Sequence, residues 1–231
     1  MTLTAVRHDL DSALSTTPRL LMRLTAEQRQ LVVDAGDLLT FPPRTTIVTG
    51  GDPTMQLFLL VEGKLKYYRV NHTGNEVLLW WVLPGDSFGL GALMPDPTRH
   101  IGTAETVDRC KLLAWSRKQL RALGTINDVL TENAFHILLY YLEEYTDRLI
   151  GVSSDTAPQR LVRTILQLAR RTGHVHPDGV DFSITNEHLA ALSNVSPFTA
   201  SRHLKEWERR GHIRKRRGAI HIVSAEGLVN D

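Results

Sequence analysis

The feature that most limits the fold is a change of pattern near residue 125, from short apolar segments to longer amphipathic ones. Before it, apolar segments alternate with Pro, Gly, Asn and Asp, which favour turns. This spacing is typical of a β-sandwich or barrel. The predicted strands are Leu38–Phe41, Thr46–Val48, Leu57–Val61, Lys64–Val70, Glu76–Leu83 and Cys110–Trp115. We therefore predict an all-β domain over residues 31–125.

The N-terminal segment, residues 1–30, is predicted to contain helix. The stretch from Pro18 to Ala35 has a helical pattern, with Thr25 as the N-cap and Glu27 in the first turn. A hydroxyl side chain followed by an acidic residue in the first turn is a common helix start.

A long helix is predicted from Ile126 to Ile150, with Gly151 as its C-terminal stop. Its apolar residues form two seams with the spacing of a coiled coil. One seam is Leu130, Ala134, Ile137 and Tyr141, and the other is Phe135, Leu138, Leu142, Tyr145 and Leu149. A central core helix would bury both seams, and a symmetric dimer would bury one between copies. The short flanking segments favour the second interpretation, a dimerisation helix over residues 126–151.

Residues 155–231 form a second domain with mostly helical patterning, after a polar connector at Val152–Pro158. The predicted order is helix Gln159–Arg171, loop Gly173–Gly179, strand Val180–Ile184, helix Asn186–Leu192, helix Pro197–Arg210 and hairpin His212–Val223. Two helices joined by a tight turn and followed by a β-hairpin are a winged helix-turn-helix. The second helix of this motif enters the DNA major groove with its N-terminal residues on base edges.

The outward side chains of this motif are the candidate DNA contacts. Arg202 carries the planar guanidinium that pairs bidentately with guanine. Short hydroxyl side chains suit phosphate, and the cations of Arg214–Arg217 suit the DNA backbone. The predicted DNA-binding residues are Thr185, Ser196, Phe198, Thr199, Ser201, Arg202, Lys205, Arg216 and Arg217.

The charge distribution agrees with a polyanion at one end of the chain. The net charge is only +2, yet Arg202 to Arg217 contain eight basic and two acidic residues. A solvated charged surface is the alternative explanation for such a run. The sequence has no apolar stretch long enough to span a bilayer and no secretory signal, so a cytoplasmic location without membrane attachment is expected.

The chain resembles the CRP/FNR family of bacterial transcription regulators over nearly its whole length. The resemblance rests on the segment Leu57–Gly63, the turn Pro84–Gly89, the long helix and the stretch Ile184–Ile213, in the family's order. It implies an α+β fold with an N-terminal double-stranded β-roll sensor domain, a long dimerisation helix and a C-terminal winged helix-turn-helix domain. It also implies a homodimer on a palindromic double-stranded DNA operator, with RNA polymerase as a candidate partner.

The resemblance assigns roles to individual residues of the DNA-binding motif. Arg202 matches the family's base-reading arginine, and Thr185, Ser196, Thr199 and Lys205 match positions that face phosphate or the groove. Pro197-Phe198 stands where cyclic-AMP-responsive members have Arg-Glu. A different operator sequence is therefore expected. Phe198 either contacts a thymine methyl or covers the start of the helix.

The effector pocket implied by the family departs further from the pattern. Members that bind cyclic AMP use a Gly-Glu pair for the ribose and an Arg-Ser pair for the phosphate. This chain has Leu90 in place of the glutamate and His100 in place of the arginine, with Arg99 one position away. The usual cyclic-AMP contacts need that carboxylate and that guanidinium, so they are not expected. The matching positions are Gly89, Leu90, Arg99, His100, Tyr145 and Thr146.

The identity of any cofactor or effector stays open. An iron–sulfur sensor needs several N-terminal cysteines, whereas Cys110, the one cysteine, lies in a predicted strand. A haem would need an axial ligand such as His72 or His100, both also explained as ordinary surface histidines. Cys110 is either a redox switch or a small core residue. Control by expression level, without a small effector, is a further alternative.

Two other classes of protein are alternatives to a transcription regulator. A cupin-type enzyme needs a metal-binding His-x-His in the roll, but His174-Val175-His176 lies outside it. The sequence has no nucleophile elbow and no Walker A motif, so neither catalysis nor a metal site is expected. The second alternative is a cyclic-nucleotide-type regulatory subunit that acts through protein contacts.

Overall fold

The computed structural model describes residues 17–96, 98–216 and 218–230. The chain divides into two units after residue 142, within a long helix. The helices are α1 (Ala26–Asp34), α2 (Arg117–Ala122), α3 (Thr125–Ser154), α4 (Ala157–Thr172), α5 (Asn186–Leu192), α6 (Pro197–Arg209) and α7 (Ala225–Val229). None of these helices is long and apolar enough to cross a bilayer.

The N-terminal unit contains the predicted β-roll. Its strands are β1 (Asp37–Phe41), β2 (Thr46–Val48), β3 (Gln56–Glu62), β4 (Leu65–Val70), β5 (Glu76–Val82), β6 (Ser87–Phe88), β7 (Thr103–Thr106) and β8 (Cys110–Ser116). They pair antiparallel in two four-stranded sheets, ordered β1-β8-β3-β6 and β2-β7-β4-β5. The six predicted strands are confirmed. Strands β6 and β7 were not predicted, because the two residues of β6 are too few for a pattern and β7 is mostly polar.

The central strand β3 is buried on both faces. Leu57, Leu59 and Val61 pack in a core shared with α1 and α3, whereas Phe58 and Leu60 pack in the core between the two sheets. Successive side chains of a strand point to opposite faces, so one apolar run contributes to two cores.

The N-terminal helical stretch is shorter than predicted. A 3₁₀ turn covers Arg19–Leu21, and α1 begins only at Ala26. Between them Arg23 has a positive φ of 62°, which no continuous helix allows. The predicted cap is confirmed, because Thr25 accepts a hydrogen bond from the Gln28 N–H and the Gln28 side chain accepts one from the Thr25 N–H. Residues 1–16 of the predicted segment 1–30 lie outside the described residues.

The long helix α3 continues through Gly151 to Ser154, so the predicted stop at Gly151 is wrong. A Cβ at Gly151 would lie 3.0 Å from the Asp155 carboxylate, which is paired with Arg163 at 2.7 Å. Gly151 therefore provides space for a side chain that folds back, rather than a left-handed terminus. The predicted polar connector is reduced to Asp155 and Thr156 before α4 begins.

The two seams of α3 have different environments. The side chains of Leu130, Ala134 and Ile137 are buried in the core of the N-terminal unit. On the second seam, Phe135 is 60% exposed and Leu142 is 61% exposed. Among the described residues, the first seam is covered and these positions of the second are not, which favours the dimerisation helix over a central core helix.

The C-terminal unit combines helices α4 to α7 with a third antiparallel sheet. Its strands are β9 (His174–His176), β10 (Gly179–Ser183), β11 (Ile213–Arg216) and β12 (Ala219–Ile222), in the order β11-β12-β10-β9. The predicted loop at Gly173–Gly179 contains β9, whose three residues are all exposed. A short exposed edge strand has no burial pattern, which explains why the sequence did not indicate it.

Candidate nucleic-acid interface

The helix-turn-helix is built by local capping and one tight turn. The Thr185 hydroxyl accepts a hydrogen bond from the His188 N–H at 3.2 Å and so starts α5. After α5, Asn194 adopts a positive φ of 50°, and the Val195 N–H donates to the Ala190 carbonyl at 3.0 Å. Asparagine tolerates this left-handed conformation, which turns the chain into α6.

Helix α6 begins with a serine cap and a proline. The Ser196 hydroxyl accepts from the Thr199 N–H at 3.0 Å and shares a hydrogen bond of 2.8 Å with the Thr199 hydroxyl. Pro197 occupies the first turn, where its missing N–H costs nothing. Both hydroxyl residues predicted to contact DNA thus also fix the start of this helix.

The two faces of α6 differ sharply in burial. Ala200, Leu204 and Trp207 are buried in the core of the C-terminal unit. The outward stripe, defined as Phe198, Arg202, Lys205 and Arg209, is exposed. These four residues follow the 4-3-4 spacing of one helix face, opposite the buried one. Ser201 and Thr199 lie at the sides of the helix and are half-buried.

Ion pairs separate the basic residues of this region into two groups. Glu206 binds Arg209 at 2.6 Å and Arg210 at 2.7 Å, and these hydrogen bonds lower the pKa of Glu206 to about 2. In contrast, Arg202, Lys205 and Arg216 have no carboxylate partner among the residues that the structure describes. Their positive charge is therefore available to an external anion.

The contact that Arg202 does make is with its neighbour on the helix. One guanidinium nitrogen lies 3.4 Å from Nε2 of His203. Burial, followed by the nearby charge of Arg202, lowers the pKa of His203. A neutral His203 adds no positive charge beside the guanidinium at neutral pH.

The wing meets the start of α5 at a groove of about 270 Å³. Its lining residues are Ile184, Thr185, Asn186, Glu187, Lys215, Arg216, Gly218, Ala219 and Ile220. The groove brings together Thr185 and Arg216, two predicted DNA contacts that are far apart in sequence.

Among the wing cations predicted to contact the DNA backbone, Arg214 has a carboxylate partner within the protein. Its guanidinium is bound to the Asp178 carboxylate at 3.0 Å. Asp178 lies between β9 and β10, next to a buried His221 whose ring bonds to Asp181 at 2.7 Å. These partners have no local signal in the sequence, because sheet pairing brings them to Arg214. Arg217 lies outside the described residues.

Four of the six residues at the predicted effector pocket lie in the roll, where they are buried or hydrogen-bonded within it. Gly89 has a φ of 74°, and a Cβ there would lie 2.3 Å from the Gln56 carbonyl, so glycine is required. Leu90 is buried in the apolar core. The guanidinium of Arg99 donates to the Gly51 carbonyl at 2.6 Å. Burial lowers the pKa of His100.

The remaining pocket residues, Tyr145 and Thr146, lie on α3 beyond residue 142 and belong to the C-terminal unit. Tyr145 is half-buried and Thr146 is exposed.

The roll contains a row of aromatic rings in contact near β4 and β5, which was not predicted from the sequence. The Tyr67 and Trp80 rings stack at 4.2 Å, and Trp80 stacks on Tyr141 of α3 at 4.9 Å. Phe88 lies 6.5 Å from Tyr67 and stacks on Phe58 at 4.9 Å. The cluster of aromatic residues in β4 and β5 was the available signal.

The titratable groups that could serve a metal or thiol sensor are few in the described residues. Within ranges 17–96, 98–216 and 218–230, no three His, Cys, Asp or Glu side chains are arranged to hold a metal ion. Cys110 is buried, and burial raises the pKa of its thiol to about 11. The thiol is therefore protonated at neutral pH and behaves as a core residue.

A winged helix-turn-helix with an exposed cationic helix face, in a chain that also contains a β-roll and a long helix, defines a DNA-binding regulator. Two family models match: a cyclic nucleotide-binding domain over residues 38–127 and a Crp-like helix-turn-helix domain over residues 159–230. The chain belongs to the CRP/FNR family. This is a family of transcription regulators, not of enzymes.

Individual relatives agree with this assignment. The chain is 27% identical over 191 residues to a CRP-like cAMP-activated global transcriptional regulator of Mycobacterium tuberculosis, covering 82% of this chain and 85% of that protein. It is 28% identical over 202 residues to the cyclic AMP receptor protein of Thermus thermophilus, covering 87% and 91%. The solved structure of FixK2 from Bradyrhizobium japonicum has the same fold, with a TM-score of 0.73, 18% identity and coverage of 84% and 96%.

Proposed function

We propose that this chain binds a palindromic DNA operator as a homodimer and reads its sequence with α6. The observation that carries the proposal is the state of Arg202. Its guanidinium lies on the outward face of α6, exposed and without a carboxylate partner among the described residues. Guanine presents two acceptors in the major groove, and a free guanidinium matches them. A regulator of genomic DNA works in the cytoplasm, with RNA polymerase as a candidate partner.

Flanking residues supply the sequence-independent part of binding. Arg216, which has no carboxylate partner in the described part of the chain, provides a cation on the wing, and Thr185 and Ser196 provide hydroxyl groups at the starts of two helices. Phosphate contacts of this kind fix the position of a protein on the duplex, whereas base contacts supply specificity. Lys205 extends the same positive surface along α6.

The homodimer is supported by the uncovered seam of α3. Besides Phe135 and Leu142, Leu138 and Leu149 are exposed on this helix. Large apolar side chains repeated along one helix face are stabilised when a second helix covers them. A second copy of the chain presents the same seam, as a two-fold symmetric interface requires. Two copies would carry two reading helices, which explains why a palindrome is expected.

Input at the β-roll is proposed to use contacts other than the usual cyclic-AMP ones. The position of the ribose-binding carboxylate is Leu90, which is buried in an apolar core. The nearest guanidinium, that of Arg99, donates to a backbone carbonyl at 2.6 Å. Arg99 thus already uses one of its donors within the roll.

Selection from a random pool of DNA duplexes by the purified full-length protein tests these proposals together. We expect enrichment of a two-fold palindrome without cyclic AMP, and loss of its sequence preference in Arg202→Ala. Enrichment that requires cyclic AMP would contradict the proposal about input but not DNA binding. Absence of enrichment in both conditions would contradict the operator proposal and favour the regulatory-subunit alternative.

A further inference from the structure

Phe198 is an apolar side chain that lies outside the hydrophobic core. It lies in the first turn of α6 and is 78% exposed. A single exposed apolar residue needs no explanation by itself, but Phe198 lies on the same helix face as the exposed Arg202. The partner that α6 meets in the proposed function is the major groove of DNA.

The alternative role of Phe198, to cover the start of α6, is filled by other residues. The residue before the cap, Val195, packs against the core of the C-terminal unit together with the buried Ala200. These positions, the residue before the cap and the fourth residue of the helix, are the ones whose apolar side chains commonly pack at a helix start. Val195 and Ala200 thus supply the core packing at this end of α6, whereas Phe198 is exposed.

The spacing on α6 determines what Phe198 can reach. Phe198 and Arg202 are four residues apart and belong to the same outward stripe. Four residues of α-helix rise about 6 Å, which corresponds to less than two base-pair steps of about 3.4 Å. The two side chains can therefore contact neighbouring or next-but-one base pairs.

The chemistry of a phenyl ring limits the base that it can recognise. A ring without donors or acceptors cannot pair with base edges, but it can cover the C5 methyl group of thymine. We propose that Phe198 reads a thymine by its methyl group, within two base pairs of the guanine that Arg202 reads. This inference rests on the proposed function and makes Phe198 a specificity residue of the same site.

The test uses the operator obtained by selection and changes single groups in it. Replacement of the thymine by uracil removes only the methyl group, and replacement by 5-methylcytosine keeps the methyl but changes the hydrogen-bonding edge. Loss of one buried methyl corresponds to about a fourfold loss of affinity per half-site. Affinities are measured by fluorescence anisotropy with the full-length protein, as wild type, as Phe198→Ala and as the matched control Val175→Ala. Val175 is an equally exposed apolar residue of the same unit, at 82%.

We expect the wild type and Val175→Ala to bind the uracil duplex more weakly than the thymine duplex, by about fourfold per half-site. Phe198→Ala should bind the two duplexes equally. We also expect the wild type to prefer 5-methylcytosine over cytosine at this position. A uracil penalty that persists in Phe198→Ala, or no penalty in the wild type, would overturn the inference. If the Arg202→Ala variant still loses its sequence preference in that case, the proposed function stands and only the role of Phe198 fails. If no operator is enriched, both fail together.

Discussion

The side chain of Arg160 is hydrogen-bonded to the turn of the helix-turn-helix, with its Nε 3.0 Å from the carbonyl oxygen of Ser193. The same guanidinium donates to the carbonyl of Asp155 at 2.7 Å. One side chain of α4 therefore joins the residue that follows α3 to the turn that sets the direction of α6. Ser193 is buried, so its carbonyl has little access to water as a substitute partner.

Arg160→Gln is expected to lower the unfolding free energy of the C-terminal unit by about 2 kcal/mol, because hydrogen bonds to charged groups are lost at partly buried carbonyls. Operator affinity should fall as well, because the turn before α6 loses its support. Thermal unfolding and anisotropy titration measure the two effects. Arg170→Gln is the matched control, since Arg170 is exposed on the same helix. Equal stability of the two variants would show that the Arg160 contacts contribute nothing.

Arg202→Ala is expected to reduce discrimination at one base pair by about 1–3 kcal/mol, because the bidentate contact with guanine disappears. Arg202→Lys should also lose discrimination, since an ammonium group lacks the planar pair of donors. The control is Arg209→Ala, whose guanidinium is already held by Glu206 at 2.6 Å. Binding to a set of single-base operator variants measures the discrimination. An unchanged profile in Arg202→Ala would remove this residue from base reading.

Arg216→Ala is expected to weaken binding to all sequences and to lower the slope of log K against log salt by about one, because one phosphate contact is lost. Arg214→Ala should change the slope less, since Asp178 already neutralises Arg214 at 3.0 Å. Titrations at several salt concentrations measure both slopes. A larger change in Arg214→Ala than in Arg216→Ala would contradict this assignment of the wing cations.

Phe135→Asp is expected to dissociate the homodimer, because it places a charge in the proposed apolar interface. Each dimer loses two such contacts, so the dimer dissociation constant should rise by roughly a hundredfold or more. Sedimentation velocity over a range of protein concentrations measures it, with Asp128→Ala as a control at an exposed polar position of the same helix. An unchanged dimer would mean that copies associate through another surface.

His100 is expected to make the N-terminal unit less stable in acid. Burial lowers its pKa in the folded state below the ordinary value, so the unfolded chain takes up this proton at higher pH than the folded chain. The folded state therefore loses stability as the pH falls through about 6.5 towards the folded-state pKa. His100→Gln should remove this part of the loss between pH 7.5 and 5, measured by urea unfolding. An identical pH dependence in the variant would contradict the prediction.

The helix-turn-helix could be predicted from the sequence in detail, because its ends are determined locally. Thr185 and Ser196 cap the helices by contacts within three residues, and α5 has the predicted bounds. The two seams of α3 could also be predicted, since helical periodicity alone separates two faces.

Other features depend on contacts between residues far apart in sequence. The short strand β9 exists because β10 pairs with it, and the Asp155 carboxylate beside Gly151 is held by Arg163 of the next helix. Neither partner is visible in a local pattern.

The sequence by itself determined the order of the elements, the family and the list of basic residues near the DNA-binding helix. Only the tertiary structure decided which of those basic residues have a carboxylate partner among the described residues. Arg214 and Arg216 lie two positions apart on one strand, yet sheet pairing brings Asp178 to Arg214 and no carboxylate among the described residues to Arg216. Local conformation follows from neighbouring residues, whereas the availability of a charge depends on what the completed fold places beside it.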